Sequence, residues 1–441
     1  MRDLTKGNIY KVIFFYAIPL IIGNIFNLFY NLTDMWIVGA TINEDALASI
    51  GATSPINSLA ISFLFGLTNG FSILTAKYFG AKDNGNLKKS ISGTIILSIM
   101  TAFLFTMIGL FFLEDIMNLL NIPSEIFDDA YNYIFIIISG LVIMTIYNIC
   151  AGILRAVGDT ITPLIFLIIS AVLNIFLDLF FIKILKFGIE GAAYATLISQ
   201  GLSAIMCIFY MIKKYKELNL KKEDFIISKT FMISLLTYGL SVAFMLSIVG
   251  LGTLILQGAI NKLGPSIIVS HSSARKITEM FMLPIGVFGV SSATFTSQNL
   301  GANNIKRIRE GMKKFTIILF CWSFVVIIAT YTVSPVLIKV ITSTKDQFII
   351  DTAVKYLKFN SLFYFVLSIL IILRNSMQGL GDKISPSLSS LIELIGKFIV
   401  AFYLTGFINY KAIIISEPAT WILCTILLLF RIRKNKILKN T

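Results

Sequence analysis

Gly158-Asp159-Thr160-Ile161-Thr162-Pro163 returns 223 residues later as Gly381-Asp382-Lys383-Ile384-Ser385-Pro386. A second pair agrees at an offset of 221: Lys77-Tyr78-Phe79-Gly80-Ala81-Lys82 against Gln298-Asn299-Leu300-Gly301-Ala302-Asn303. Two matches at nearly one offset make the 441-residue chain a duplication. The period is far beyond the roughly 20–50 residues of solenoids and propellers.

What lies between the copies is too apolar for water. The chain is 56% hydrophobic and 14% charged, where soluble proteins run near 25% charged, and its mean hydropathy is +0.86. Polar residues must cover a soluble fold, and there are too few. A bilayer helix needs about 20 apolar residues. Spans are expected near 9–39, 46–76, 90–113, 126–151, 161–183, 190–212, 231–260, 266–297, 315–334, 347–373, 384–405 and 411–430. The expected fold is all-α and polytopic, with twelve transmembrane helices in two pseudo-symmetric six-helix lobes. The lobes run 1–214 and 231–441, joined by a cytoplasmic linker at 215–230.

Loop charges test the count. Arg2, Lys6 and Lys11 lie at or before the start of the first span, and Lys77, Lys82, Lys88 and Lys89 follow the second. The sixth is followed by Lys213, Lys214, Lys216, Lys221, Lys222 and Lys229, the eighth by Lys306, Arg307, Arg309, Lys313 and Lys314, and the last by Arg431, Arg433 and Lys434. Arg155, Arg374 and Lys383 fall on the same side. Intervening loops are acidic or sparse, as with Glu114, Asp115, Glu125, Asp128 and Asp129. This alternation puts both termini in the cytoplasm. It also accounts for the net charge of +14 without a nucleic-acid partner. The first apolar stretch is long and lacks a small-residue cleavage site, so it reads as a permanent helix and not a signal peptide.

Catalytic chemistry finds little to use. Cys150, Cys207, Cys321 and Cys424 sit in apolar runs without CxxC spacing and read as small core residues. A lone histidine, His271, excludes a His-based metal cluster. No GxxxxGK[ST] stretch offers ATP binding. No cofactor is expected, and the chain reads as a transporter, not an enzyme. Parallel repeats about an axis along the membrane normal are a transporter architecture.

Intramembrane charges are costly and therefore few. The first span carries Asn24, Asn27, Asn31 and Asp34 at intervals of three, four and three, which lays them on one face. Interhelical glue is an equal alternative for the asparagines. By depth, Asp34 is level with Asp178 on the fifth span, with Asn174 one turn deeper, and with Thr196 on the sixth and Tyr133 on the fourth. Two carboxylates with amide, hydroxyl and phenol oxygens suit a hard cation or a proton trap, so Asp34 and Asp178 are the candidate sodium ligands. Glu279 is the candidate contact for cationic substrates, with Asn31 and Asn27, although Arg275 one turn earlier is a rival partner for it. Glu393 and Lys397, four residues apart, are expected to neutralise one another. His271 reads as a hydrogen-bonded residue near the outer end of its span.

The chain resembles the multidrug and toxic compound extrusion (MATE) transporters, nearest the DinF-like branch. The likeness rests on Ala17-Ile18-Pro19-Leu20, Asp34 before Val38-Gly39, Gly80-Ala81 and Leu154-Arg155-Ala156-Val157-Gly158-Asp159. It continues through Asn174 to Asp178, Gln298-Asn299-Leu300-Gly301-Ala302 and Gln378-Gly379-Leu380-Gly381-Asp382. The resemblance implies a MATE-type antiporter of two lobes that exports amphipathic, often cationic compounds and other small drugs by alternating access. Sodium or protons would drive it, with oxygen ligands favouring sodium. It also implies a monomer in the cell inner membrane, a first helix that bends at Pro19, and a coupling site at Asp34, Asn174, Asp178 and Thr196, with Tyr133 a looser match. Leu179 stands where the family usually has proline, which bears on the backbone at Asp178. The alternative is a lipid-linked oligosaccharide flippase of the same superfamily. It would want a basic cavity, and the in-span basic residues are Arg275, Lys276, Lys358 and Lys397.

Overall fold

The computed structural model describes residues 3–342 and 346–439; Arg2 lies outside them. The first half contains α1 (Ile9–Thr41), α2 (Glu44–Gly80), α3 (Asn84–Phe111), the short α4 (Leu113–Leu119), α5 (Phe127–Ser139), α6 (Leu141–Ala156), α7 (Ile161–Leu179) and α8 (Ile189–Lys214). The second contains α9 (Lys229–Asn261), α10 (Pro265–Gly301), α11 (Ile305–Thr342), α12 (Gln347–Ser361), α13 (Tyr364–Gly379) and α14 (Ile384–Ile399). The one-turn α15 (Thr405–Ile408), α16 (Tyr410–Arg433) and α17 (Lys436–Lys439) complete it.

Among the described residues, ten helical stretches are each long and apolar enough to cross a membrane. Two bent pairs bring the total to twelve. Residues 124–139 meet α6 at 45°, and α12 meets α13 at 54°. The expected fourth and tenth spans are therefore broken helices, at equivalent places in the two halves. Several helices also outrun their apolar cores. α11 begins at Ile305, ten residues before the expected span, because Lys306 to Lys314 continue the helix outside the apolar zone.

The repeated motifs prove to be turns. Gly158 and Gly381 take φ of 85° and 89°, and Lys82 and Asn303 take 56° and 54°, a left-handed conformation that ends a helix. Asp159 then accepts from the Thr162 backbone N–H at 3.0 Å and its hydroxyl at 2.7 Å. Asp382 does the same for Ser385 at 2.9 and 2.6 Å. Each Gly-Asp pair thus stops one span and starts the next. Asp83 starts α3 similarly: the Asn86 backbone N–H, then its side chain, hold the Asp83 carboxyl below its usual range.

By packing the chain divides into two units. Unit 1 comprises residues 1–3 and 15–243; unit 2 comprises 4–14 and 244–441. This differs from lobes drawn at 214 and 231, because each unit takes one end of the other half's first helix. The linker packs on unit 1 as well. Tyr215 donates to Asp159 at 2.6 Å, and Leu218 is buried. The core of unit 1 gathers Ile134, Ile137, Leu141 and Leu113, and that of unit 2 gathers Ala274, Ile338, Ala353 and Ile413. Three cysteines are buried as expected, but Cys321 is exposed on α11; an apolar residue on a lipid-facing helix need not be core.

Candidate ion and substrate sites

In unit 1, α1 carries Tyr30 and Asp34, one turn apart, while α7 brings Asn174 and Asp178. The α7 helix continues past Leu179 as a five-residue π-turn, Phe180–Ile184. The residue in the place of the family's proline is thus helical, and the irregularity begins immediately after it. Wide turns of this kind recur beside functional groups.

The carboxyls of Asp34 and Asp178 lie close enough to interact, and two like charges so placed oppose each other's ionisation. With its amide oriented to satisfy both neighbours, Asn174 donates to Asp178 Oδ2 at 2.9 Å and accepts from the Thr196 backbone N–H at 3.2 Å. The Tyr30 hydroxyl lies 3.5 Å from Thr196 Oγ1. Tyr133, buried on α5, faces both carboxyls electrostatically. One oxygen of each carboxyl, Asp34 Oδ1 and Asp178 Oδ1, is buried without a hydrogen-bond partner. Orphaned carboxylate oxygens at low dielectric are costly, and a proton or a hard cation is the kind of partner that satisfies them.

Asp34, Asn174, Asp178, Thr196 and Tyr133 lie near one another in unit 1, and Tyr30 lies beside them. Its signal was its place four residues before Asp34, on the same helical face. Asn27 and Asn31 lie on an exposed stretch of α1; Asn24 turns back onto its own helix, donating to the Leu20 carbonyl at 2.8 Å. No group of three or more His, Cys, Asp and Glu side chains fit to hold a metal occurs among the described residues. That leaves mixed oxygen ligands as the available chemistry here.

Unit 2 holds a different assembly. A cavity of about 230 Å³ is lined by Gln257, His271, Arg275, Lys276, Glu279 and Glu417, among others. Arg275 binds Glu417 at 2.7 Å and reaches Glu279 only at 3.5 Å. Glu417 also accepts from Tyr356 at 2.9 Å. Glu279 is the exposed member, its side chain 66% accessible, so its carboxylate stays open to the cavity. Glu417 went unremarked in the sequence, although a lone carboxylate within an apolar run was the clue. His271 is buried against the Tyr410 hydroxyl at 3.1 Å, the hydrogen-bonded role expected of it.

Glu393 does pair with Lys397, at 2.9 Å, but Arg374 joins them at 3.2 Å. Arg374, counted with the loop charges, is buried on α13 near that helix's end. Arg155 likewise belongs to α6 and donates to Asn69 at 3.2 Å. Proximity to a span's end in sequence does not fix where a long side chain points.

Duplicated apolar spans with a few charged side chains among them define a polytopic membrane protein. The MatE family pattern matches residues 19–180 and 230–403. The chain belongs to the MatE family. It is 24% identical over 392 residues to the probable multidrug resistance protein YpnP of Bacillus subtilis (strain 168), covering 89% of this chain and 87% of that one. It is 24% identical over 434 residues to YoeA, a probable multidrug resistance protein of the same organism, covering 96% and 93%. Its fold matches a solved outward-facing multidrug resistance MATE family transporter at TM-score 0.89 and 23% identity, covering 100% and 98%.

Proposed function

We propose that this protein is a cation-coupled antiporter that exports amphipathic, often cationic drugs by alternating access while sodium or protons enter. The multidrug-resistance names of its relatives support the export. The observation that carries the coupling is the contact between Asp34 and Asp178 with an orphaned oxygen on each. Two such carboxyls cannot both be charged and unpartnered, so the pair takes a proton or a sodium ion. Either one draws α1 and α7 together at one level. An ion that binds the two access states unequally shifts their populations. The amide, hydroxyl and carboxylate oxygens favour sodium.

Substrate contact is assigned to Glu279 in the cavity of unit 2, and to Asn27 and Asn31 on the exposed stretch of α1. The reading places a monomer in the cell inner membrane with both termini cytoplasmic. A flippase for lipid-linked pyrophosphates is disfavoured, because three of the four in-span cations are engaged: Arg275 with Glu417, Lys397 with Glu393, Lys358 over the Tyr331 ring.

The test is dye accumulation in sodium-loaded inverted vesicles, with and without a protonophore. Accumulation that survives the protonophore and needs luminal sodium establishes sodium coupling. Accumulation abolished by the protonophore and indifferent to sodium assigns the proton. Indifference to both ions refutes the antiport.

A further inference from the structure

The second repeated motif, at 77–82 and 298–303, has no part in either site. In unit 2 it grips the segment that leads into α1. Gln298 Oε1 accepts from the Leu4 N–H at 3.0 Å, and Asn299 Nδ2 donates to the Leu4 carbonyl at 3.3 Å. Arg307, one turn into α11, completes the grip. Its Nε, Nη2 and Nη1 donate to the carbonyls of Leu4, Lys6 and Gly7 at 3.2, 2.8 and 2.7 Å. A guanidinium is the one side chain that can bond three backbone oxygens at once from a rigid fork.

At the matching place in unit 1 the chemistry changes. Asn299 corresponds to Tyr78, which stacks on Phe231 at the start of α9 with centroids 5.7 Å apart. Arg307 corresponds to Asn86, which is spent on Asp83. The duplication therefore made two sockets for two helix feet, one polar and one aromatic.

The polar socket holds the helix that carries Asp34. That helix passes from unit 2 to unit 1 between Phe14 and Phe15. Pro19 lies within it and, having no N–H, takes one bond out of the helical ladder.

We infer that Arg307 is a positioning residue for transport: it ties the foot of the ion-carrying helix to unit 2, so that displacement of Asp34 is worked against a fixed end. The inference rests on the antiport reading above. Arg307→Ala should keep the ion-dependent thermal stabilisation of the purified protein, because Asp34 and Asp178 are untouched, yet lose at least tenfold in gradient-driven dye efflux. Arg307→Lys, which keeps the charge and loses the fork, should not rescue it. A Lys6→Cys probe in a Cys321→Ser background should react with a maleimide several-fold faster once Arg307 is alanine.

Efflux within twofold of the parent at matched protein level, or unchanged labelling, overturns the inference. So does loss of ion-dependent stabilisation, which would place Arg307's effect at the ion site. If Arg307→Ala does not fold, Asn299→Ala and Arg307→Lys, each removing part of the grip, carry the same readouts. If efflux of the parent ignores both ions, the antiport reading fails, and the labelling alone decides whether Arg307 holds the foot.

Discussion

Asn174 and Lys397 stand 223 residues apart, at one position of the repeat, and each holds a carboxylate four residues away at 2.9 Å: Asn174 donates its amide forward to Asp178, and Lys397 its ammonium back to Glu393. One arrangement gives the carboxyl a neutral partner. The other supplies a cation from the chain itself. The two halves share a scaffold and differ in whether that place is charge-compensated, so ion binding is expected in the first half alone.

Asp34→Asn should express and fold near normally, since an amide fits the same space and can donate to Asp178. Ion-driven efflux should fall to background. Ion-stimulated efflux at matched protein level would remove Asp34 from the coupling site.

Asymmetry between the halves can be read without transport. An ion at 100 times its Kd stabilises a folded protein by about 2.7 kcal/mol. Asp178→Asn and Asn174→Ala should erase most of that gain, while Gln257→Ala, near the repeat counterpart of Asp34, should leave it intact. The reverse pattern in thermal unfolding would move the site to the other half.

Tyr30→Phe removes one hydroxyl from the edge of the carboxyl pair. A neutral hydrogen bond is worth about 1 kcal/mol, so the half-saturating ion concentration should rise by roughly fivefold with little change in maximal efflux. An unchanged ion requirement would make Tyr30 a packing residue only.

Glu279 and Glu417 flank the same arginine and should separate cleanly. Glu417→Gln breaks a buried pair and should cost about 3–5 kcal/mol of stability. Glu279 is exposed and 3.5 Å from Arg275, a geometry worth under about 1 kcal/mol. Glu279→Gln should therefore fold normally and lose export of cationic dyes more than of neutral ones. Equal losses for both dye classes would make Glu279 a structural partner of Arg275.

The architecture was legible because membrane burial leaves a coarse signature. Apolar runs, basic loops and a repeated Gly-Asp turn give twelve spans and a duplication without any side-chain geometry. The carboxyl pair was legible for a related reason, since few intramembrane charges exist and helix rise fixes their depth. The breaks at Gly140 and near Phe363 were not, because the sequence remains apolar through each bend and hydropathy carries no angle. Arg374 and Glu417 were missed because their partners, Glu393 and Arg275, are 19 and 142 residues away in sequence. Linear spacing finds partners one helical turn apart and nothing further.

The placement of the α1 foot has a consequence for biosynthesis. A nascent chain makes its N-terminal half first, yet residues 4–14 belong to the unit built from 244 onward. Their grip on Gln298, Asn299 and Arg307 forms only after α10 and α11 have been synthesised. Chains cut near residue 220 and produced as two polypeptides should therefore assemble only when expressed together, the earlier fragment waiting with its leading segment unhoused until the later one arrives.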